Sequence, residues 1–510
     1  MSRPARSRTL AAAWAERLAG APDAVALSYG ERRWTRAELD RAATALAGSL
    51  ADRGVREGDR VGIRLQNVPA FPVALLASWK LGAVALVLNP MYTARELHVL
   101  LADSGAVGVL CAAGDRARVV EAGDGSALRW TLTAEELGDD LTAAGEADRV
   151  LPPAGADPGD PALMIYTSGT TGPPKGALSS HANVLATVET YADWLGLVEG
   201  DVSLAIAPLF HTTGAVAGAA LALVRGLDLV LIGRFEPGAA LAAIREHQVT
   251  FTVGAITAFS ALGQHPDASP ETCASLRVVA SGGAPIAPAT VAQLEERLGC
   301  YIHNVYGMTE TTSAVVAVPT GRRAPVDPVT GSLSVGVCLP GVGARVVDPE
   351  GRELGPGEIG ELELRGPSMM LGYHDRPAET AETLREGWLR TGDGGSIDAD
   401  GWIYLADRLK DQINASGFKV WPREVEDVLC EHPAVLEAAV VGRPDEYRGE
   451  TVVAFVALAS GETVGPAELV EHARRRLAAY KVPREITVVE QLPKTATGKI
   501  QRRELRVDPA

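Results

Sequence analysis

The sequence predicts an α/β protein with a large N-terminal domain and a small C-terminal α+β domain. Helix-like runs alternate with short apolar strands near the N-terminus, which is typical of a parallel sheet covered by helices. Residues 361–365 and 402–405 alternate between apolar and polar side chains, as strands with one wet face do. From residue 411 onward a second pattern of helices and strands indicates a separate small domain.

The first elements justify the parallel sheet. Thr35 and Glu38 have capping-box spacing, and apolar residues follow at helical intervals until Gly54. A strand at 61–65, a helix at 71–81 and a strand at 83–88 come next. This alternation predicts parallel α/β architecture.

The middle of the chain predicts a loop at 151–161, then a strand at 162–166 that runs into a glycine-rich turn. Residues 355–360 match Gly-x-Gly-x-x-Gly, but a strand pattern follows where a dinucleotide site needs a helix, so we predict a turn. The strands around it predict an antiparallel, barrel-like segment. In the small domain we predict helices at 425–430 and 467–477 and strands at 438–441 and 452–458.

Composition excludes several classes of protein. The 510 residues carry 48 basic and 64 acidic side chains, a net charge of −16, which argues against nucleic acid or an anionic membrane as the partner. The five cysteines form no Cys-x-x-Cys pair, which rules out a disulfide scaffold and disfavours a zinc site. The first residues lack an apolar stretch, and the longest apolar runs are short or carry Lys80. We therefore expect no signal peptide, no membrane-spanning segment and a cytoplasmic location.

The glycine-rich turn at 166–176 has the chemistry of a polyphosphate site. It combines three glycines, four hydroxyl side chains of Ser and Thr, and Lys175. Glycines let backbone N–H groups surround an anion, hydroxyls donate further hydrogen bonds, and lysine adds positive charge. The spacing differs from that of a P-loop. No serine stands in Gly-x-Ser-x-Gly, so the chain has no α/β-hydrolase nucleophile motif.

Together with later motifs, this turn resembles the adenylate-forming enzymes: acyl-CoA synthetases, luciferases and peptide-synthetase adenylation domains. The resemblance covers nearly the whole chain, and the motifs follow in the family's order. They are Pro208-Leu209-Phe210-His211, Ser281-Gly282-Gly283-Ala284-Pro285, Tyr306-Gly307-Met308-Thr309-Glu310, Thr391-Gly392-Asp393, Asp407-Arg408-Leu409-Lys410-Asp411, Ser416-Gly417-Phe418-Lys419 and Pro493-Lys494-Thr495-Ala496-Thr497-Gly498-Lys499. The resemblance implies two α/β subdomains and a barrel-like subdomain in the large domain, with a mobile C-terminal domain.

The resemblance also implies a role for each matching residue. ATP, Mg²⁺ and coenzyme A are the implied cofactors, with Tyr306 stacking on adenine, Thr309 donating to the α-phosphate and Asp393 accepting from the ribose. The residues assigned to nucleotide and cofactor binding are Thr167, Ser168, Gly169, Thr170, Thr171, Gly172, Lys175, Gly283, Ala284, Pro285, Asn304, Tyr306, Gly307, Asp393, Arg408, Ser416, Gly417 and Lys419. The metal is assigned to Thr170 and Glu310, catalysis to Lys499, Thr309, Glu310 and His211, and the acid to His211, Gly254, Ala255, Ile256, Gly282, Gly307 and Met308.

The resemblance further implies two half-reactions separated by a domain rotation. Residues 1–409 would form the adenylation domain and residues 410–510 the mobile domain, with the hinge at Lys410. Lys499 would bridge the carboxylate and the α-phosphate during adenylation. Rotation would then bring Gly417 to the site, where a pantetheine arm passes and a thiol displaces AMP. His211 would gate the thiol channel, although a buried structural histidine fits equally well.

For the acid, we expect a medium- or long-chain fatty acid. His211 stands where amino-acid adenylation domains carry aspartate, and residues 251–259 contain no Lys or Arg to pair with a second carboxylate. Residues 88–106 also look like those of fatty acyl-CoA synthetases. An aryl or arylpropenoic acid is the alternative substrate, and a carrier-protein thiol the alternative to CoA.

Two other classes of protein share parts of this pattern. A light-emitting oxygenase shares these motifs and would be revealed by oxygen uptake. A non-catalytic ATP-binding regulator is disfavoured because Lys499 and Glu310 are both present. Dimers occur in the family that the sequence resembles, so a homodimer is an alternative to a monomer.

Overall fold

The structure, a computed structural model, describes residues 8–143, 145, 154–167, 173–284, 286–328, 331–408, 411–415, 418–445, 449–495 and 500–506. Within these ranges the strands, β1 to β26 in chain order, are Val25–Tyr29, Arg32–Thr35, Arg60–Arg64, Val84–Val87, Gly108–Cys111, Trp130–Thr133, Pro161–Thr167, Lys175–Ser180, Val202–Leu204, Asp228–Leu231, Phe251–Gly254, Val278–Ser281, Ile302–Met308, Ser313–Ala317, Val337–Cys338, Gly343–Val347, Gly360–Arg365, Gly372–Tyr373, Leu384–Arg385, Trp388–Ile397, Ile403–Arg408, Ile413–Ala415, Phe418–Val420, Val435–Asp445, Gly449–Leu458 and Glu485–Val489. The α-helices, α1 to α14, are Leu10–Gly20, Arg36–Asp52, Ala70–Lys80, Ala94–Ser104, Arg116–Ala122, His181–Leu195, Leu221–Arg225, Pro237–His247, Ile256–Gln264, Pro288–Leu298, Pro377–Thr383, Pro422–Cys430, Pro466–Arg474 and Arg502–Leu505.

Two large sheets with parallel centres form most of the N-terminal domain. One has the strand order β15-β14-β13-β12-β11-β9-β10-β1-β2, and the other β18-β8-β7-β4-β3-β5-β6. β3, β4, β5 and β7 pair in parallel, as do β9 to β13 and β10 with β1. The predicted parallel α/β architecture is confirmed. The largest apolar core contains Trp14, Leu39, Phe71 and Trp79.

An antiparallel sheet follows where we predicted an antiparallel, barrel-like segment. It has the order β16-β17-β20-β19, and β21 pairs with β20. The turn predicted at 355–360 leads into β17 as expected. The strand predicted at 402–405 begins at Ile403 and runs on to Arg408.

The C-terminal part has a sheet and a core of its own. Its strand order is β23-β22-β25-β24, with β26 pairing in parallel with β25. Val420, Val425 and Leu469 are fully buried in this core. The second predicted helix ends earlier than expected, at Arg474. A large and a small domain are thus confirmed, whereas the boundary at 409/410 stays a prediction because Lys410 lies outside the described residues.

Two local features complete the architecture. Thr35 and Glu38 form the predicted capping box at the start of α2. Residues Thr213–Ala220, in an apolar run of the sequence, form a π-helix that continues into α7. None of the helices in the described ranges is both long and apolar enough to cross a bilayer.

Candidate active site

The turn between β13 and β14 presents the residues predicted to face the phosphates. β13 ends at Met308, and Thr309–Thr311 form a single helical turn before β14 begins. A Cβ at Gly307 would overlap the carbonyl oxygen of Ser313, so only glycine allows the two strands to approach this closely. Packing of backbone on backbone therefore fixes where Thr309 and Glu310 lie.

The same turn contains two strained residues. Thr312 and Ser313 have φ values of +54° and +91°, in the left-handed region that disfavours side chains with a Cβ. Such residues cost about 1–3 kcal/mol each and persist only where the surroundings hold them. Here the hydroxyls of Ser179 and Thr312 share a buried hydrogen bond of 2.9 Å. The turn is thus held against β8, which follows the glycine-rich loop.

Glu310 is buried and held by two contacts. The residue is only 7% exposed, and its Oε1 accepts a hydrogen bond from the Tyr373 hydroxyl at 2.7 Å. Its backbone carbonyl accepts from the Met370 N–H at 2.8 Å. Burial and the neighbouring Glu310 carboxylate raise the pKa of Tyr373, so this hydroxyl remains a donor at neutral pH.

The segment of His211 meets this turn directly. The hydroxyls of Thr212 and Thr309 share a hydrogen bond of 3.0 Å. The N–H of His211 donates to the Pro208 carbonyl, and Gly214 packs against that same carbonyl so closely that no Cβ would fit. His211 is half-buried at the start of the π-helix. The structure therefore brings Thr212, the residue after His211, into contact with Thr309, 97 positions away in sequence.

The residues predicted to bind adenosine also converge. The Tyr306 hydroxyl donates to Asp393 Oδ2 at 2.6 Å, which joins β13 to the antiparallel sheet. Asp393 lies at a bulge of β20, with Arg408 as its Cα partner on β21. Asn304 is buried, and its side-chain N–H₂ donates to the Ser334 carbonyl at 3.1 Å. Asn304 thus makes a hydrogen bond within the protein and lies on the same strand as Tyr306.

The loop predicted to line adenine follows β12. Gly282 packs on β13, where a Cβ would lie 2.9 Å from the Val305 carbonyl oxygen. Gly283 has a φ of +84° and open space around it, and Ala284 is half-buried. Pro285 lies outside the described residues. The described part of this loop is thus a tight backbone turn with an exposed glycine.

The glycine-rich loop is described only at its two ends. Thr167 and Lys175 are paired across the antiparallel strands β7 and β8. Lys175 Nζ lies 5.2 Å from the centre of the Tyr373 ring, within the range of a cation–π contact. The predicted phosphate-binding residues Ser168, Gly169, Thr170, Thr171 and Gly172 lie outside the described residues.

The predicted wall of the acid pocket is formed by β11 and the start of α9. Gly254 ends β11, and a Cβ there would meet Ile206 at 3.0 Å and Phe259 at 3.5 Å. The small size of Gly254 is therefore used for packing on that side, and does not open space for a substrate tail. Ala255 is half-buried, and Ile256 is buried at the first turn of α9.

The predicted residues of the mobile domain are described only in part. Lys410, Ser416, Gly417 and Lys499 lie outside the described residues, as do the side chains of Arg408 and Lys419. The structure describes the residues on either side of Lys499, 491–495 and 500–506. Lys494 pairs with Ile500 as an isolated bridge, and the Gln501 N–H donates to the Pro493 carbonyl at 2.8 Å.

The residues at the Lys494–Ile500 bridge pair with their own domain and face the large domain. Lys494 Nζ lies 2.7 Å from the Glu437 carboxylate on β24. Residues 491–495, together with Asn67, Pro208 and Phe210, line a cleft of about 880 Å³. The residues just before Lys499 therefore line the same cleft as Pro208 and Phe210 of the His211 motif.

Sequence reasoning missed three residues of this site. Tyr373 and Thr212 contact Glu310 and Thr309, but neither stands in a pattern that predicts a partner. Asp103 accepts hydrogen bonds from Tyr166 at 2.7 Å and from Arg376 at 2.6 Å. Asp103 thereby joins the strand that enters the glycine-rich loop to the segment after Tyr373, a link that no sequence spacing reveals.

Comparison with known families decides the identity. Residues 14–374 match the AMP-binding enzyme family, and residues 424–499 match the AMP-binding enzyme C-terminal domain. The chain belongs to the AMP-binding enzyme family. As a member of its acyl-CoA synthetase branch it is an AMP-forming acid–thiol ligase that uses ATP, Mg²⁺ and CoA.

Similar proteins of this family differ in the acids they are named for. A feruloyl-CoA synthase of an Amycolatopsis species is 38% identical, over 95% of this chain and 96% of its own. A long-chain-fatty-acid–CoA ligase of Bacillus subtilis is 34% identical, over 98% of this chain and 95% of its own. The crystal structure of ATP-bound MatB from Rhodopseudomonas palustris has a TM-score of 0.89 and 31% identity, over 97% of this chain and 98% of its own.

The residues of this AMP-binding enzyme fit a magnesium nucleotide. Mg²⁺ prefers oxygen ligands and usually takes only one or two carboxylates beside the substrate phosphates. Glu310 offers a buried carboxylate and Thr309 a hydroxyl on the same turn. When bound, the cation would neutralise charge on the phosphate oxygens. Among the described residues, Thr309 and Glu310 are those that would hold the nucleotide and its metal.

Proposed function

We propose that this ligase activates a monocarboxylic acid with an uncharged, apolar body and transfers the acyl group to CoA. The observation that supports this most strongly is the hydrogen bond of 3.0 Å between Thr212 and Thr309. It joins the segment assigned to the acid and thiol with the segment assigned to the α-phosphate. A substrate carboxylate held beside Thr212 would thus lie next to the phosphorus that it attacks.

In the proposed first step an oxygen of the acid's carboxylate bonds to the α-phosphorus, and the bond to pyrophosphate breaks. Thr309 donates to the α-phosphate, and Lys499 balances the negative charge that develops during attack. In the second step the CoA thiol gives up its proton and its sulfur bonds to the acyl carbon. AMP then leaves with the electrons of the broken C–O bond.

A medium- or long-chain fatty acid is our first candidate substrate. The wall from Phe251 to Ala255 is apolar or small, without a cationic side chain to pair with a second carboxylate. The π-helix Thr213–Ala220 beside it consists of small and apolar residues. Both favour a tail that makes only van der Waals contacts.

An arylpropenoic acid is the second candidate. The 38% identity to a feruloyl-CoA synthase over almost the full length supports it. So does the filled space beside Gly254, because Ile206 and Phe259 close one route along which a long tail could extend. A carrier-protein thiol is the alternative acceptor, since it presents the same phosphopantetheine group as CoA.

A comparison of kcat/KM across two acid series separates these candidates. Each methylene that enters an apolar pocket contributes about 0.8 kcal/mol, which is about a four-fold gain in kcat/KM. For a fatty acid ligase we expect such gains along the series from butanoate to palmitate. For the second candidate we expect cinnamate, coumarate and ferulate to exceed every alkanoate.

The same assay, followed by mass spectrometry of the products, also tests the chemistry. Formation of AMP and pyrophosphate without an acyl-CoA would move the acceptor to a carrier protein. Malonate as the best substrate would contradict the proposed acid class. Absence of AMP with every acid of either series would refute the proposal as a whole.

A further inference from the structure

Tyr373 connects two parts of the site that come from different segments of the chain. Its hydroxyl donates to Glu310 Oε1 at 2.7 Å, and its ring lies 5.2 Å from Lys175 Nζ. Glu310 belongs to the turn after β13, whereas Lys175 ends the glycine-rich loop. In the described part of the chain Tyr373 is the side chain that contacts both.

The position of Tyr373 is itself fixed by backbone contacts. β18 pairs with β8 in antiparallel register, with Tyr373 opposite Ala177. The Tyr373 N–H donates to Thr380 Oγ1 at 2.9 Å, and Thr380 Oγ1 in turn donates to the Arg376 carbonyl at 2.8 Å. The tyrosine therefore stands on a short, rigid strand and not on a free loop.

We propose that Tyr373 is a positioning residue that orients the Glu310 carboxylate for a divalent cation and holds the Lys175 ammonium beside the phosphates. The inference rests on the proposed function, which assigns the metal to Glu310. Among the described residues no side-chain donor reaches Glu310 Oε2. The bond from Tyr373 anchors Oε1 and leaves Oε2 as the oxygen for the cation.

The expected size of the effect follows from metal sites in general. Groups that hydrogen-bond a metal ligand keep it in one orientation, and their loss costs about 10- to 100-fold in metal affinity or activity. Tyr373→Phe removes only the hydroxyl and keeps the ring near Lys175. Tyr373→Leu removes both contacts. The two variants therefore separate the effect on the cation from the effect on the phosphate loop.

The test measures Mn²⁺ binding to the full-length protein by electron paramagnetic resonance, with ATP present and no acid substrate. Tyr404→Phe is the matched control, because the Tyr404 hydroxyl also donates to a carboxylate, that of Asp398 at 3.1 Å, although Tyr404 is buried whereas Tyr373 is half-buried. We expect Tyr373→Phe to weaken ATP-dependent Mn²⁺ binding about ten-fold or more and Tyr404→Phe to leave it unchanged. Tyr373→Leu should in addition weaken ATP binding.

A second readout separates positioning from general structural damage. The thioester half-reaction, started from supplied acyl-AMP and CoA, should keep its wild-type rate in Tyr373→Phe, while the Mg²⁺ concentration for half-maximal adenylation rises. Unchanged Mn²⁺ binding in Tyr373→Phe would overturn the inference. So would an equal loss in Tyr404→Phe. If the wild-type protein itself shows no ATP-dependent Mn²⁺ binding, the metal assignment within the proposed function fails instead.

Discussion

Glu437→Gln tests whether the ion pair at the Lys494–Ile500 bridge positions Lys499, the lysine to which we assign catalysis. Lys494 Nζ and the Glu437 carboxylate are 2.7 Å apart, and the two side chains are only 22% and 14% exposed. Exposed ion pairs contribute about 0–1 kcal/mol, whereas breaking a fully buried pair costs about 3–5 kcal/mol. For this half-buried pair we expect about 1–2 kcal/mol.

This free energy acts on the hairpin and not on the substrate. The Lys494–Ile500 bridge begins five residues before Lys499 and closes directly after it, so loosening Lys494 allows the hairpin more conformations. If 1–2 kcal/mol separates the ordered hairpin from these conformations, adenylation falls about 5- to 30-fold. The thioester step should not change, because the expected domain rotation withdraws Lys499 from the site at that stage.

The assay compares the two half-reactions in one variant. Adenylation is followed by ATP–pyrophosphate exchange, and thioester formation from supplied acyl-AMP. Glu485→Gln is the matched control, since Arg443 and Glu485 in the same domain are also 2.7 Å apart but 40% and 51% exposed. Equal adenylation rates for Glu437→Gln and wild type would refute the reasoning, as would a parallel loss in both half-reactions.

The remaining predictions concern four single sites. Lys499→Ala should abolish adenylation and spare thioester formation from acyl-AMP, while Gly417→Leu should do the reverse; loss of both steps in either variant would contradict its assigned role. Gly307→Ala must displace the Ser313 carbonyl, so we expect thermal unfolding to show a loss of about 1–3 kcal/mol together with low adenylation, and wild-type behaviour would contradict the packing argument. Burial lowers the pKa of His181 from its usual 6.5 to about 4, so as the pH falls the unfolded chain binds this proton at a higher pH than the folded protein does. The free energy of unfolding should therefore decrease as the pH drops from about 6.5 toward 4, by about 3 kcal/mol at most. Urea unfolding at pH 7.5 and pH 5 should show a weaker pH dependence in His181→Gln, and an identical dependence would exclude His181 as the cause.

The sequence predicted the elements whose signals are local. The capping box of Thr35 and Glu38, the strand before the glycine-rich loop and the helix Pro422–Cys430 all stand where their patterns indicated. Boundaries shifted by one to four residues where tertiary pairing extends a strand, as in β21 and β24. The π-helix Thr213–Ala220 was not predicted, and near its start Gly214 packs against the Pro208 carbonyl, a close approach that sequence spacing does not reveal.

The site was predictable as a set of motifs but not as a set of contacts. The order of the motifs led to Thr309, Glu310 and Asp393. The tyrosine hydroxyls that bond to Glu310 and Asp393 depend on sheet register, because Tyr373 reaches Glu310 only when β18 pairs with β8. Gly254 was assigned to the acid from the sequence, and the structure shows that it also packs, because Ile206 and Phe259 fill the space beside it.

The contacts around the β13–β14 turn suggest why its strain persists. A turn with Thr312 and Ser313 at positive φ would relax if the chain were free to move, and Glu310 would move with it. Three contacts from separate elements oppose this: Ser179 bonds to Thr312, Tyr373 to Glu310, and Thr212 to Thr309. Side chains held in this way need little reorganisation when a nucleotide binds, so more of the binding free energy remains for stabilising charge in the transition state. Strain and positioning are therefore two consequences of the same packing, and Thr312→Gly, which removes both the strained side chain and its buried bond to Ser179, should lose adenylation in an ATP–pyrophosphate exchange assay.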